Sequence, residues 1–380
     1  MRKELLNQWV TATALWLSVL LAGCATVLPG NGEEPDAQLL QLALSGEPLL
    51  GQPYSEASLP DRQLFELTPA MKAFAERHTA GIKGGFARAR ALHHALLTPS
   101  TAGGHGITYT AFYTLTGADA FDQRQANCLS FTLLYVTMAR HIGLDAYVNE
   151  VDLPPTWDLR NQDAFLFLRH VNSRVKLRRD EVVIDLEMDR YSSTYDQRLI
   201  PEKLVAAQFY NNRGMELSAE GEFKDAFLHL RKALLLDDQQ SYIWNNMATV
   251  YRRNGYLKEA EALYLQGLQV DRGDLTIISN LSGLYRQLDE PEKAETFFRL
   301  AERHRNSNPY FLYYEANKSF ESGDAEQARD LLKKAISKEK AEVRFYDLGV
   351  KIYEALGDQK QADAMRERAA QRREAMASPS

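Results

Sequence analysis

The chain has 380 residues, of which 45% are hydrophobic and 25% charged, and it carries a formal net charge of −6. This composition is typical of a soluble globular protein, and the length predicts two or three domains. The acidic balance and the lack of a basic run exclude a nucleic-acid-binding protein. No apolar stretch is long enough to predict a membrane-spanning helix.

The N-terminus has the pattern of a secretory signal: a basic start, a short apolar run over Trp9–Ala22, and small residues before Cys24. Leu21-Ala22-Gly23-Cys24 resembles a bacterial lipobox. That resemblance implies removal of residues 1–23, acyl chains on Cys24 and a lipid anchor in the cell envelope. Ala25 implies, by the same resemblance, the outer membrane, with the protein facing the periplasm. The alternatives are an ordinary signal peptide or an uncleaved anchor, for which the run is too short.

Residues 24–60 follow as the lipidated cysteine and a tether. This stretch contains several prolines and glycines, which predict an extended segment with one short helical piece.

Residues 61–200 mix helical and strand patterns. The segment from Leu67 to Leu97 predicts helix interrupted by glycines, and residues 98–121 predict a Gly/Thr-rich loop. Apolar residues at helical spacing then predict a helix whose first turn contains Cys128 and which stops at Gly143. The stretches "DAYVNEVDL", "DAFLFLRHVNSRVKL" and "EVVIDLEMD" predict three strands.

Cys128 is one of only two cysteines in the chain, so after lipidation of Cys24 it is the one free thiol. A helix N-terminus has exposed N–H groups and a partial positive charge, which favour thiolate over thiol. Such a nucleophile needs a histidine to move its proton and a third group to orient that histidine. His170 and Asp185 lie on successive predicted strands. The alternative is a buried cysteine that acts as a small apolar side chain.

The stretches "NCLSFTLLYVTMARHIGLDAYVNEV", "RHVNSRV" and "EVVIDLE" resemble a transglutaminase-like domain, which has an α+β papain-like cysteine fold. The resemblance implies that Cys128 is the nucleophile, His170 the general base and acid, and Asp185 the carboxylate that orients the histidine. It also implies acyl transfer or hydrolysis at an amide. Ala126 stands where many members of the family have glycine.

The donors of an oxyanion hole are not fixed by the sequence. The main-chain N–H of Cys128 is one candidate, and Gln123, Gln125 or Asn127 could supply another. The remaining histidines have no metal-ligand spacing, and no cofactor motif occurs, so neither a metal nor a cofactor is predicted.

The C-terminal half repeats every 34 residues. Five alanines mark the period, and each ends a similar phrase: Ala226, Ala260, Ala294, Ala328 and Ala362. Small residues also recur twelve positions before and seven positions after each alanine. The period and these positions resemble the tetratricopeptide repeat, which implies an all-α solenoid of five helix–turn–helix units over residues 207–374.

Such solenoids bind an extended segment of another protein in a concave groove. Six residues of the first helices are predicted to face that groove: Asn211, Asn245, Arg252, Arg253, Arg286 and Tyr313. The arginines would suit an acidic partner, and the alternative is a merely solvated helix surface.

Two functions remain open. In one, an envelope lipoprotein performs cysteine-based acyl transfer or hydrolysis on a protein or peptide recruited by the repeats. In the other, the cysteine domain is a scaffold, and the protein is a non-catalytic assembly adaptor that acts through its repeats. The complete Cys128, His170 and Asp185 set favours the enzyme.

Overall fold

The structure, a computed structural model, describes residues 34–111, 113–152, 169–188 and 195–377. The predicted signal peptide and the lipidation site Cys24 lie outside these ranges, so both stay predictions. Within the described residues, no helix is long and apolar enough to cross a membrane.

Residues 24–60 are predicted to form an extended tether with one short helical piece, but after residue 36 the structure contains two α-helices. These helices, α1 (Ala37–Ser45) and α2 (Glu47–Leu50), pack against the repeats. The Tyr251 hydroxyl donates a hydrogen bond of 2.6 Å to the main-chain oxygen of Ala43. The sequence shows the local helix signals, but not these contacts with residues about 200 positions away.

In the part that the structure describes, the middle of the chain contains four α-helices and six strands. The helices are α3 (Pro69–Thr79), α4 (Gly85–Leu97), α5 (Gly117–Gln123) and α6 (Cys128–His141). The strands are β1 (Thr108–Tyr109), β2 (Gln125–Ala126), β3 (Asp145–Asp152), β4 (Arg169–Lys176), β5 (Glu181–Ile184) and β6 (Gln197–Leu199). The predicted loop over residues 98–121 therefore contains β1 and most of α5, whose N-cap is Thr116.

Four of the strands form an antiparallel sheet in the order β5-β4-β3-β6. In its register Val151 lies opposite His170, and Asn149 lies opposite Asn172. Helix α6 packs on β3 and β4, and all of its residues from Leu129 to Ala139 are buried. A helix that is buried on every side lies in the centre of a core, so Cys128 begins the central helix of this region.

The C-terminal half consists of five helix pairs, as the period predicts. The pairs are α7 (Glu202–Glu220) with α8 (Phe223–Leu236), α9 (Ser241–Arg253) with α10 (Leu257–Val270), α11 (Leu275–Gln287) with α12 (Pro291–Ser307), α13 (Pro309–Glu321) with α14 (Ala325–Lys338), and α15 (Val343–Ala355) with α16 (Gln359–Ala377). The period alanines lie on the second helix of each pair and are at most 5% exposed. At Gly214 a Cβ atom would lie 2.7 Å from Cγ of Leu230, so the first two helices approach closely there.

The sheet and the first repeat are joined by polar contacts. Glu150 on β3 is 2% exposed, accepts a hydrogen bond of 2.7 Å from the Gln208 amide on α7, and pairs with Arg198. At the end of α6, Arg140 pairs with Glu202 on α7. Because the buried Glu150 carboxylate is satisfied from both sides, these contacts specify how α7 lies against the strands.

Candidate functional site

Cys128 is the first residue of α6 and is the free cysteine among the described residues. Its helix is capped by Asn127, whose side-chain oxygen accepts the main-chain N–H of Ser130 at 2.9 Å. Cys128 is partly exposed, whereas the residues after it are buried. The thiol therefore lies at the positive end of the helix dipole, on a residue that is not fully buried.

His170 and Asp185 form a buried pair beside α6. Nε2 of His170 and Oδ2 of Asp185 are 2.5 Å apart, and the two side chains are 8% and 1% exposed. His170 lies near the start of β4, and Asp185 directly follows β5, which pairs with β4. The sheet thus brings together two residues that are separated by 15 positions in the chain.

The Cys128 side chain is close enough to His170 to raise its pKa, so the three residues form one set. Because Nε2 of the imidazole is taken by Asp185, Nδ1 is the nitrogen left for the thiol. Burial lowers the pKa of His170, but the hydrogen bonds and charges of Asp185 and Cys128 outweigh burial and raise that pKa to about 10. The structure therefore favours an imidazolium at neutral pH.

The Asp185 carboxylate is held ionised by several donors. Burial raises the pKa of Asp185, but His170, the N–H of Glu187 and the Asn172 amide outweigh burial and lower it below its ordinary value. The Asn172 amide donates to Oδ2 at 3.2 Å and accepts from the Asn149 amide at 2.9 Å. These amides fix the carboxylate in one orientation toward the histidine.

Two residues that support the site are not among the sequence-based candidates. Asn172 lies two positions after His170 on β4, so the period of two of a strand could have indicated it. His93 on α4 contacts the main-chain oxygen of Asp185 through Nε2 at 2.9 Å, and burial lowers its pKa. Its neutral ring therefore donates from Nε2. Nothing in the local sequence links positions 92 apart.

The side-chain candidates for an oxyanion hole lie at different places. Gln123 ends α5 and is exposed, and Gln125 is exposed on β2. The Asn127 amide is engaged, since its nitrogen donates to the Thr114 hydroxyl at 2.9 Å. The described residues contain no group of three or more His, Cys, Asp or Glu side chains that could hold a metal ion.

The predicted groove residues differ in exposure. Asn211 and Asn245 are only 5% and 7% exposed and bond to the asparagines of neighbouring helices. Tyr313, which is partly buried, stacks on Phe345 of the next repeat with ring centroids 5.0 Å apart. These three side chains thus make contacts between repeats: the asparagines hydrogen bond to the neighbouring first helix, and the tyrosine stacks on it.

The arginines divide in a similar way. Arg252 donates to the Gln287 side chain at 2.9 Å, so it bridges to the first helix of the next repeat. Arg253 is exposed and donates to Ser218 at 3.3 Å, while Arg286 is exposed and lies 5.9 Å from the Phe298 ring centroid. Arg253 and Arg286 are thus the candidates that remain at the surface.

One segment of the C-terminal half matches a known family. The tetratricopeptide repeat family model matches residues 241–274, which include the second helix pair. Comparison with curated protein sequences gives no match.

Solved structures with similarity to the chain have low sequence identity and low TM-scores. MamA is 18% identical, with 44% of this chain and 92% of MamA covered and a TM-score of 0.25. PilF of Pseudomonas aeruginosa is 16% identical, with 43% and 90% covered and a TM-score of 0.27. YrrB, described as a TPR protein with an unusual peptide-binding site, is 17% identical, with 44% and 86% covered and a TM-score of 0.25.

The family match covers one of five helix pairs that share the 34-residue period and the buried alanines. The C-terminal half of the chain is therefore a helical array of tetratricopeptide repeats, a kind of structure that mediates protein–protein interaction.

Proposed function

We propose that the protein is an adaptor whose repeats bind an extended segment of a partner protein. The observation that carries the proposal is a chain of side-chain amides across the first three repeats. Asn280 donates to Asn245, Asn245 to Asn246, Asn246 to Asn211 and Asn211 to Asn212, at 2.8, 3.2, 2.8 and 3.3 Å. We call these five residues the asparagine row.

The asparagine row suits a peptide main chain. Each amide has two donor hydrogens and an acceptor oxygen, so an amide that bonds its neighbour keeps capacity for a further bond. Asn212, Asn246 and Asn280 are partly exposed and recur at the 34-residue period. Regularly spaced donors and acceptors can bond successive peptide groups of an extended segment, whatever its side chains are.

A peptide selected by display on the full chain is expected to bind Asn246→Ala at least tenfold more weakly than the unaltered protein. The variant loses one amide that faces the peptide and breaks the row on both sides. Titration calorimetry measures the dissociation constant. Asn317→Ala is the control, because Asn317 lies on the first helix of the fourth repeat and bonds Glu321 in its own helix.

N-methylation of the peptide main chain should weaken binding to the same degree. Equal binding of the unaltered protein and Asn246→Ala, with no effect of N-methylation, contradicts a groove that reads the main chain.

A second function is supported by the Cys128, His170 and Asp185 set: acyl transfer within a transglutaminase-like, papain-like α+β domain over residues 61–200. The thiolate would attack an amide or ester carbonyl, forming a C–S bond as the C–N or C–O bond breaks. The His170 imidazolium would give its proton to the leaving group. The same imidazole would then accept a proton from the water or amine that releases the acyl group. Asp185 keeps the imidazole oriented throughout.

The probe for this second function is p-nitrophenyl acetate, an activated ester. The unaltered protein should release p-nitrophenolate and carry an acetyl group on Cys128, as peptide mass spectrometry would locate it. His170→Ala should acetylate roughly 100-fold more slowly, since it lacks the proton-transfer group.

His141→Ala is the matched control for the ester assay. His141 lies at the other end of α6 and bonds Glu76, so its loss should leave the rate unchanged. Equal acetylation rates in the unaltered protein and in His170→Ala would contradict the second function and leave the adaptor function alone.

A further inference from the structure

The loop before the cysteine helix is bonded to the first repeat. Glu216 on α7 has 17% of its side chain exposed and accepts the main-chain N–H of Thr114 at 2.8 Å. Arg213 pairs with the same carboxylate. A carboxylate with this little exposure is stable only when its oxygens are paired in this way.

The same loop continues the bonding to the start of α6. Thr114, which is 2% exposed, accepts the Asn127 amide on its hydroxyl at 2.9 Å. The next main-chain N–H, that of Leu115, donates to the Ser130 hydroxyl at 2.7 Å, and Ser130 donates to the Asn127 oxygen at 2.9 Å. Asn127 and Ser130 together form the cap of α6, directly around Cys128.

Thr114 connects Glu216 to the cap of α6 through two different groups. The main-chain N–H of Thr114 donates to the Glu216 carboxylate, and the Thr114 hydroxyl accepts from the Asn127 amide. A hydrogen bond to an ionised carboxylate is stronger than one between neutral groups. Glu216 therefore holds in place the residue whose hydroxyl accepts from the cap residue Asn127.

We propose that Glu216, a residue of the repeat array, is a positioning residue for the cysteine site and acts through Thr114 and Asn127 on the helix turn that carries Cys128. This inference rests on the acyl-transfer function proposed above. It makes the first repeat part of the cysteine site, in addition to its role in partner binding. Asn212, at the end of the asparagine row, lies one helical turn before Glu216 on α7. A segment bound to the row would thus reach the helix face that holds the loop.

The test is the rate at which iodoacetamide alkylates Cys128 in the full chain, followed against pH and resolved from Cys24 by peptide mass spectrometry. Glu216→Ala should alkylate about threefold to tenfold more slowly at neutral pH, and the midpoint of its pH profile should move to higher pH. Glu216→Gln keeps an acceptor for the Thr114 N–H and should restore most of the rate. Glu220→Ala, an exposed glutamate one turn further along the same helix, is the control.

A loss of packing alone would lower the melting temperature without moving the pH profile, so the midpoint separates positioning from stability. If Glu216→Ala does not fold, Thr114→Val removes the hydroxyl with little change in volume and should move the midpoint in the same direction. One outcome overturns the inference alone: the alkylation midpoint is unchanged in the Glu216 and Thr114 variants but moves in His170→Ala. A midpoint unmoved by His170→Ala overturns the acyl-transfer function, and the inference with it.

Discussion

Phe227→Ala is expected to lower the free energy of unfolding by about 3–5 kcal/mol, because it leaves a cavity at the junction of three parts of the fold. Phe227 on α8 is fully buried. Its ring lies edge-on to Tyr54 of the N-terminal segment at 6.2 Å and to Tyr251 of the second repeat at 6.3 Å. Gly46, with φ of 76°, leaves room for the ring, since a Cβ there would lie 2.3 Å from it.

Denaturant unfolding of the full chain measures this effect. Leu235→Ala is the matched control, because Leu235 lies on the same helix but is 48% exposed. Its substitution is expected to change the free energy of unfolding by less than about 0.5 kcal/mol. Similar losses in the two variants would contradict a packing role for Phe227. The segment around Tyr54 should also be cleaved by proteases more readily in Phe227→Ala than in Leu235→Ala, because it loses the ring contact with Phe227.

The repeat array is the part of the fold that the sequence predicts best. A solenoid must solve the same packing problem in every unit, so small residues recur where the helices cross. Ala226 and its four counterparts therefore define both the period and the buried positions. The middle region gives a weaker signal. Its short helix α5 begins with Gly117 inside a Gly/Thr-rich stretch, and only the side-chain cap supplied by Thr116 distinguishes it from a loop.

The cysteine site could be predicted only in part. The sequence indicates Cys128, His170 and Asp185 through their residue types and their order on a helix and two strands. The groups that hold them come from distant positions: His93 reaches Asp185 across the core, and Glu216 reaches Thr114 from the repeats. Such pairs depend on how whole elements pack, and no local spacing encodes that.

The groove residues illustrate the same limit. Asn211 and Asn245 lie on first helices, and their amides bond to asparagines 35 residues further along the chain. A period identifies equivalent positions in successive repeats. It does not tell whether equivalent side chains meet one another or a partner, because that depends on the rotation between neighbouring repeats.

The stability of the protein is expected to fall as the pH rises from about 6.5 to about 10, because of His170. Its pKa in the folded protein is raised to about 10, whereas an unfolded histidine has a pKa of about 6.5. Below about pH 6.5 both states bind the proton, so the stabilisation by Asp185 is fully present. Between the two values only the folded state holds the proton, and unfolding becomes easier by up to about 1.4 kcal/mol per pH unit.

Denaturant unfolding at a series of pH values measures this loss, and His170→Gln is the comparison because it cannot hold the proton. The difference in unfolding free energy between the two proteins should shrink with rising pH and level off above about pH 10. The same comparison, with and without His170→Gln, is then repeated in a Cys128→Ala background, which removes the titration of the thiol itself. In this background the loss of stability with rising pH should still occur, but over a lower pH range. Asp185 still raises the pKa of His170, whereas the contribution of the thiol is gone. A difference that does not vary with pH in either background contradicts a protonated His170 paired with Asp185.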